Sequence, residues 1–133
     1  MSNINLQSVF NSALGQFKVE GAGSSRFKDN FVTAVNRTTK KLNREANLAS
    51  AINAVNVVST TLIMDDKYED VLNLGIIYNL IQLGQRPAKS LEITARKARE
   101  DFEDAIGMVY TDIINDNQED ADNDVIGLGS LSS

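Results

Sequence analysis

From Val71 to Leu83 almost every side of a helix is apolar: Val71, Leu72, Leu74, Ile76, Ile77, Tyr78, Leu80, Ile81 and Leu83. A surface helix keeps a polar face, so this segment belongs at the centre of a helical body. Its start is marked by Asp66 and, three residues on, Glu69, the spacing of a capping box. Asp65, Asp66, Glu69 and Asp70 together put acids where the helix dipole favours them. Gly84 can end the helix in a left-handed conformation, and Pro87 can open the next at its first turn. Met64 to Ile114 therefore reads as a long antiparallel helical hairpin turning at Gly84-Gln-Arg-Pro87. Gly75, costly at mid-helix, predicts that another backbone comes close there.

The second helix of the hairpin is expected from Pro87 to about Asn115, burying Leu91, Ala95, Ala98, Phe102, Ala105, Ile106, Val109 and Ile113. Its other face alternates in charge, as a solvated surface does. Earlier in the chain, Ser25 can cap a helix running to about Arg44, with Phe27, Phe31, Ala34, Val35, Thr38 and Leu42 as its buried stripe. Residues 46–63 fit neither the helical nor the strand period and read as an irregular connector, with a short strand near Asn56–Ser59. This connector carries no charge, odd for an exposed loop, which predicts packing against another copy of the protein.

The fold class expected is all-α: a helical bundle built on that hairpin, with an irregular connector and extended terminal arms. The units are a short N-terminal helix or arm with a hinge (1–23), a helical core (24–115) and an acidic C-terminal arm (116–133). Leu6, Phe10, Leu14 and Phe17 give the first unit an amphipathic character, and Gly21-Ala-Gly-Ser-Ser makes a joint. That segment can dock on its own domain or on a neighbouring subunit. In the last unit, Val125, Ile126, Leu128 and Leu131 follow a solvated acidic spacer, the composition of a hook that orders on a partner.

Charge and chemistry narrow the function. The chain has neither cysteine nor histidine, which excludes disulfides, Ser-His-Asp and Cys-His catalysis and the usual zinc sites. Paired-metal carboxylate sites normally recruit histidine, so the acids at 65–70 are read as capping, not as a metal centre. Asp120, Asp122 and Asp124 imitate the start of a calcium loop, but Val125 and Leu131 stand where glycine and glutamate are needed. No enzyme activity and no cofactor are expected. The N-terminus has no signal-peptide pattern and no segment is apolar enough for a membrane span, so synthesis in a cytoplasm is expected. The net charge of −5 is carried by residues 115–133, while Lys18 to Arg44 holds seven bases against Glu20 and Asp29. Arg37, Lys40, Lys41 and Arg44 share one side of a helix. This is either a solvated face or a surface facing DNA or an acidic partner.

Met64-Asp-Asp-Lys-Tyr-Glu-Asp-Val-Leu-Asn-Leu-Gly-Ile, with Leu80 and Gly84-Gln-Arg-Pro87, resembles the signature helix of head–tail adaptor proteins from the necks of tailed bacteriophages. The shared pattern is an acidic cap, a tyrosine one turn in, a mid-helix glycine and a breaking turn before a long amphipathic helix. The resemblance implies a structural virion protein made in the host cytoplasm. It implies a homo-oligomeric ring of about twelve copies between the portal and a tail or neck protein, around the DNA exit channel. It also implies that the C-terminal arm reaches the portal or a neighbouring subunit, as Val125, Ile126, Leu128 and Leu131 suggest by composition; Leu6 and Phe10 are the matching candidates at the N-terminus. Transient proximity to DNA is expected, with Arg37, Lys40, Lys41 and Arg44 facing phosphate unless the lumen is neutral or acidic. The alternative is a small helical nucleic-acid-binding or regulatory module using residues 18–44.

Overall fold

The computed structural model describes residues 3–19, 24–89 and 91–132, with side chains described for 3–19, 25–89 and 91–116. The chain is mostly helical, with a two-stranded sheet. Strand β1 (Ile4–Asn5) pairs antiparallel with β2 (Thr61–Leu62), Ile4 opposite Leu62 and Asn5 opposite Thr61. Helix α1 (Leu6–Gln16) follows directly, because the Asn5 side chain accepts hydrogen bonds from the backbone N–H groups of Gln7 and Ser8.

The N-terminal segment is fastened to its own domain at both ends. Beyond the β1–β2 pair, Lys18 N–H donates to Arg86 C=O at 2.9 Å and Ala88 N–H donates to Gln16 C=O at 2.8 Å. Phe17 and Pro87 face each other in an isolated antiparallel bridge. The buried stripe of this segment is Leu6, Val9, Phe10, Ala13 and Phe17, whereas Leu14 remains exposed. Phe10 meets Phe31 edge-on with ring centroids 5.1 Å apart, and both Phe10 and Phe17 stack obliquely against Phe27.

Helix α2 (Ser24–Glu45) buries Phe27, Phe31, Ala34, Val35, Thr38 and Leu42, the stripe its periodicity predicts. Two of its asparagines then hold the connector. Asn43 Nδ2 donates to Ile52 C=O at 2.9 Å and Ile52 N–H donates back to Asn43 Oδ1 at 2.8 Å. Asn36 makes the same pair of bonds with Val55, both at 2.9 Å. Seven residues of helix rise about 10 Å, close to the reach of three extended residues, so the connector runs back along α2 in near-extended form. Ile52, Val55, Val58, Leu62 and Met64 drop into the core. The uncharged connector thus finds backbone and core partners within one chain, while Val57 and Ile63 stay exposed. The short strand forms at Thr61–Leu62, not Asn56–Ser59, because β1 is its partner.

Asp65, not Asp66, is the capping acid. Its Oδ1 accepts from Lys67 N–H at 3.1 Å and opens a 3-10 turn, Asp66–Tyr68, that leads into helix α3 (Glu69–Gln82). Tyr68 occupies the N-cap of α3 and makes no side-chain cap, so the expected Asp66–Glu69 box does not form. At the other end Gly84 adopts φ 93°. Gln85 N–H bonds to Leu80 C=O and Gly84 N–H to Ile81 C=O, the Schellman pattern that a left-handed glycine permits.

Helix α4 (Ala95–Ser132) begins later than Pro87. The backbone groups of Arg86 and Ala88 are already bonded to residues 16–18, and Glu92 takes a left-handed φ of 41°. Thr94 then starts the helix, its Oγ1 accepting from Lys97 N–H at 3.1 Å. Helix α4 therefore starts only at Ala95, and Leu91 packs against the core from outside any helix. At its far end the backbone of α4 runs to Ser132, where an extended acidic arm is expected. No proline interrupts residues 95–132, and continuing an established helix costs far less than nucleating one.

Helices α2, α3 and α4 converge on Gly75. A Cβ placed there meets Phe102 at 2.7 Å and also clashes with the Thr38 methyl, so the close approach is made by side chains, not by a neighbouring backbone.

Candidate functional site

The site candidates sit on the outer faces of the helices that enclose α3. On α2, Arg37, Lys40 and Arg44 are exposed, spaced three and four residues apart, and take part in no ion pair among the described residues. Lys41 differs from them. It is half-buried at the seam with α4, where Nζ lies 3.7 Å from both Glu45 and Glu103 and 5.8 Å from the centre of the Phe102 ring. Three of the four bases expected to form one face are therefore available to a partner, and the fourth joins two helices.

Beneath this face the seam is set by a buried polar chain. Thr38 Oγ1 donates to Ala34 C=O at 2.7 Å, and Asn79 Nδ2 donates to Thr38 Oγ1 at 3.1 Å and to Gly75 C=O at 2.9 Å. A buried amide or hydroxyl without partners is costly, so this chain fixes the register of α3 against α2.

On α4, the stretch from Glu100 to Asp116 contains six acids and no base. Glu100, Asp104 and Met108 are each exposed and recur every four residues, forming one ridge; Met108 is 72% exposed. Of the six acids only Asp104 stands outside an ion pair among the described residues: Glu100 pairs with Arg96 at 3.0 Å, Asp101 with Lys97 at 2.9 Å and Glu103 with Lys41, and the two nearer the start of α3 are held by Tyr68 and Lys67. Asp112 accepts from the Tyr68 hydroxyl at 3.0 Å, and Lys67 Nζ lies 3.8 Å from both Asp112 and Asp116 and 4.9 Å from the centre of the Tyr68 ring. The Tyr68 hydroxyl and its negative neighbours hold Lys67 above its ordinary pKa. Burial pushes the Tyr68 phenol up, and the hydrogen bond to Asp112 adds to this.

Along α3 and α4 the contacts run in opposite order: Tyr68 reaches Asp112, while Gly75 and Tyr78 reach Phe102. A groove of about 400 Å³ opens beside this end of the body. It lies between the connector at Leu48–Ile52 and Ile63, Tyr68 and Ile113, with Ile63 65% exposed.

No protein-family model matches the chain, and no curated protein or solved structure matches it.

Leu6 and Phe10, expected to reach a portal or neighbouring subunit, are buried in this chain's own core. Hydrogen bonds on both sides of α1 hold them there. Val125, Ile126, Leu128 and Leu131 fall within the α4 backbone, and their side chains lie outside the described residues, as do those of Asp120, Asp122 and Asp124. Among the described residues no group of His, Cys, Asp or Glu is arranged to hold a metal ion, and no helix is long and apolar enough to cross a membrane. Asn36, Asn43 and Asn79 are the positioning residues that sequence reasoning missed. Their signal was weak: asparagine at seven-residue spacing on a helix otherwise reads as solvated surface.

Proposed function

We propose that this chain is a structural virion protein, a head–tail adaptor subunit that assembles into a ring between portal and tail in the phage neck, around the DNA exit channel. The observation that carries this reading is the setting of α3. The helix bearing the adaptor-like pattern, Met64 to Ile76 with Gly84 to Pro87, is locked between α2 and α4 at Gly75. That leaves the outer faces of α2 and α4 as unlike surfaces for neighbours. The opposed contact order of α3 and α4 supports treating them as one rigid antiparallel unit. Two unlike outward surfaces suit head-to-tail contacts, which close into rings when the rotation permits. Partners are further copies of the chain, the portal, and a tail or neck protein below; no reaction is assigned.

The test is co-expression with portal followed by pull-down and particle imaging. Co-purification with a ring beneath the portal supports the adaptor reading. Deleting residues 116–133 tests the C-terminal arm in the same assay, and unchanged attachment rules the arm out as the portal contact.

Exposure of Arg37, Lys40 and Arg44 favours a second reading, a small nucleic-acid-binding module. Phosphate contacts by these bases give DNA affinity that falls steeply with salt. A flat profile removes that reading.

A further inference from the structure

We infer that helix α4 hinges at Gly107, and that Tyr68 and Lys67 are the latch holding its far side, residues 108–116, against the body. The device lies within a single chain and needs neither ring nor portal, so it stands or falls independently of the adaptor reading.

Gly107 is exposed on α4, and a Cβ built there meets nothing within 4 Å. Glycine weakens a helix at an interior position. At Gly75 the crowding of Phe102 and Thr38 demands it, whereas at Gly107 no packing does. The helix also changes character there. Before the glycine, Ala98, Phe102 and Ile106 are buried, and Lys41 of α2 reaches Glu103. Across residues 108–116 only Val109 is buried; Ile113 is half-buried, and Met108 and Tyr110 are exposed.

Open space flanks this far side. The groove of about 400 Å³ lies between Ile113 and the connector, and a second, of about 480 Å³, lies between Val71 at the start of α3 and Met108. Tyr68 lines both grooves, and its hydroxyl donates to Asp112 at 3.0 Å. Lys67 Nζ adds Asp112 and Asp116 at 3.8 Å, all three side chains being about half exposed. Exposed pairs of this kind hold weakly. A segment resting on them and on few buried apolar side chains opens locally before the rest of the domain. From Gly107 to Asn115 the lever is about 12 Å long. Tilting it carries Ile113 toward or away from the connector, and the remainder of α4, to Ser132, turns with it. A group that takes Asp112 or the Tyr68 hydroxyl from outside therefore redirects the C-terminal part of the helix.

Native-state hydrogen exchange on the full-length chain tests the hinge. Amides at 99–106 are expected to be about tenfold better protected than those at 112–116, with a step at Gly107 in place of a gradual decline along the helix. Removing the latch with Tyr68→Phe and Lys67→Met should accelerate exchange at 112–116 about threefold and leave 99–106 unchanged. Gly107→Ala, which disturbs no contact, should slow exchange at 112–116 about fivefold, the factor that corresponds to glycine's helix penalty. The chain has no native cysteine, so spin labels at Lys40→Cys and Asn115→Cys report the tilt: one distance in the parent, and a second population once the latch is removed. A smooth gradient through Gly107 overturns the inference, because it marks fraying from the helix end. A latch variant that accelerates both segments alike, or that keeps a single label distance, overturns it too, as does parent-like exchange in Gly107→Ala.

Discussion

Asn43 and Ile52 are joined by two reciprocal hydrogen bonds, 2.9 Å from the side-chain amide to the backbone carbonyl and 2.8 Å from the backbone amide to the side-chain oxygen. One helical asparagine thereby does for a connector what a neighbouring strand does in a sheet. Asn36 repeats the arrangement two turns earlier with Val55. Substituting Asn43 by alanine strands both backbone groups of Ile52, at a cost of about 1–3 kcal/mol. Denaturant unfolding measures the loss, and hydrogen exchange at the Ile52 amide should accelerate in the variant. Unchanged exchange there contradicts the arrangement.

Gly75 admits no side chain, because a Cβ falls 2.7 Å from the Phe102 ring and Phe102 has no exposed surface through which to retreat. Gly75→Ala is expected to destabilise the fold by about 1–3 kcal/mol, despite alanine's better helix propensity. Adding Phe102→Leu should make the double variant less unstable than the sum of the single ones, the mark of two residues in contact. Strict additivity contradicts the packing.

The N-terminal helix is core, not a free arm. Phe10→Ala is expected to cost about 3–5 kcal/mol, since Phe10 packs against both Phe27 and Phe31. Removing residues 1–17 should destabilise the whole domain in thermal melts. A truncated chain with the parent melting temperature contradicts this.

Lys67 and Tyr68 both have raised pKa values, Lys67 mainly through the Tyr68 hydroxyl and Tyr68 mainly through burial. Groups raised on folding stabilise fully below their ordinary values, 10.5 for lysine and 10.0 for tyrosine, and lose that contribution as pH climbs through the folded-state values. Stability should therefore fall more steeply above about pH 10 in the parent than in Tyr68→Phe, which cannot form a phenolate beside Asp112. Thermal melts across pH measure the difference, and parallel curves contradict the assignment.

Much of the helical body could be read from the chain because its signals are local. The α2 stripe follows the helical period, and Gly84 ends α3 through bonds only a few residues long. What escaped reading depends on distant partners. Pro87 carries a helix-start signal, yet Arg86 and Ala88 bond to residues 16–18, so α4 waits for Thr94. The connector has no period because side chains of α2 hold it rather than a ladder. On the candidate site, spacing alone placed Arg37, Lys40 and Arg44 on one exposed side. It gave no hint that Lys41 spans to Glu103, because that pair depends on how α4 crosses α2.

The most direct measurement for the functional account is imaging of the full-length chain with portal protein. The account predicts a closed ring coaxial with the portal, each subunit holding α3 between α2 and α4. A chain that remains monomeric, beside portal particles with no added density, contradicts it.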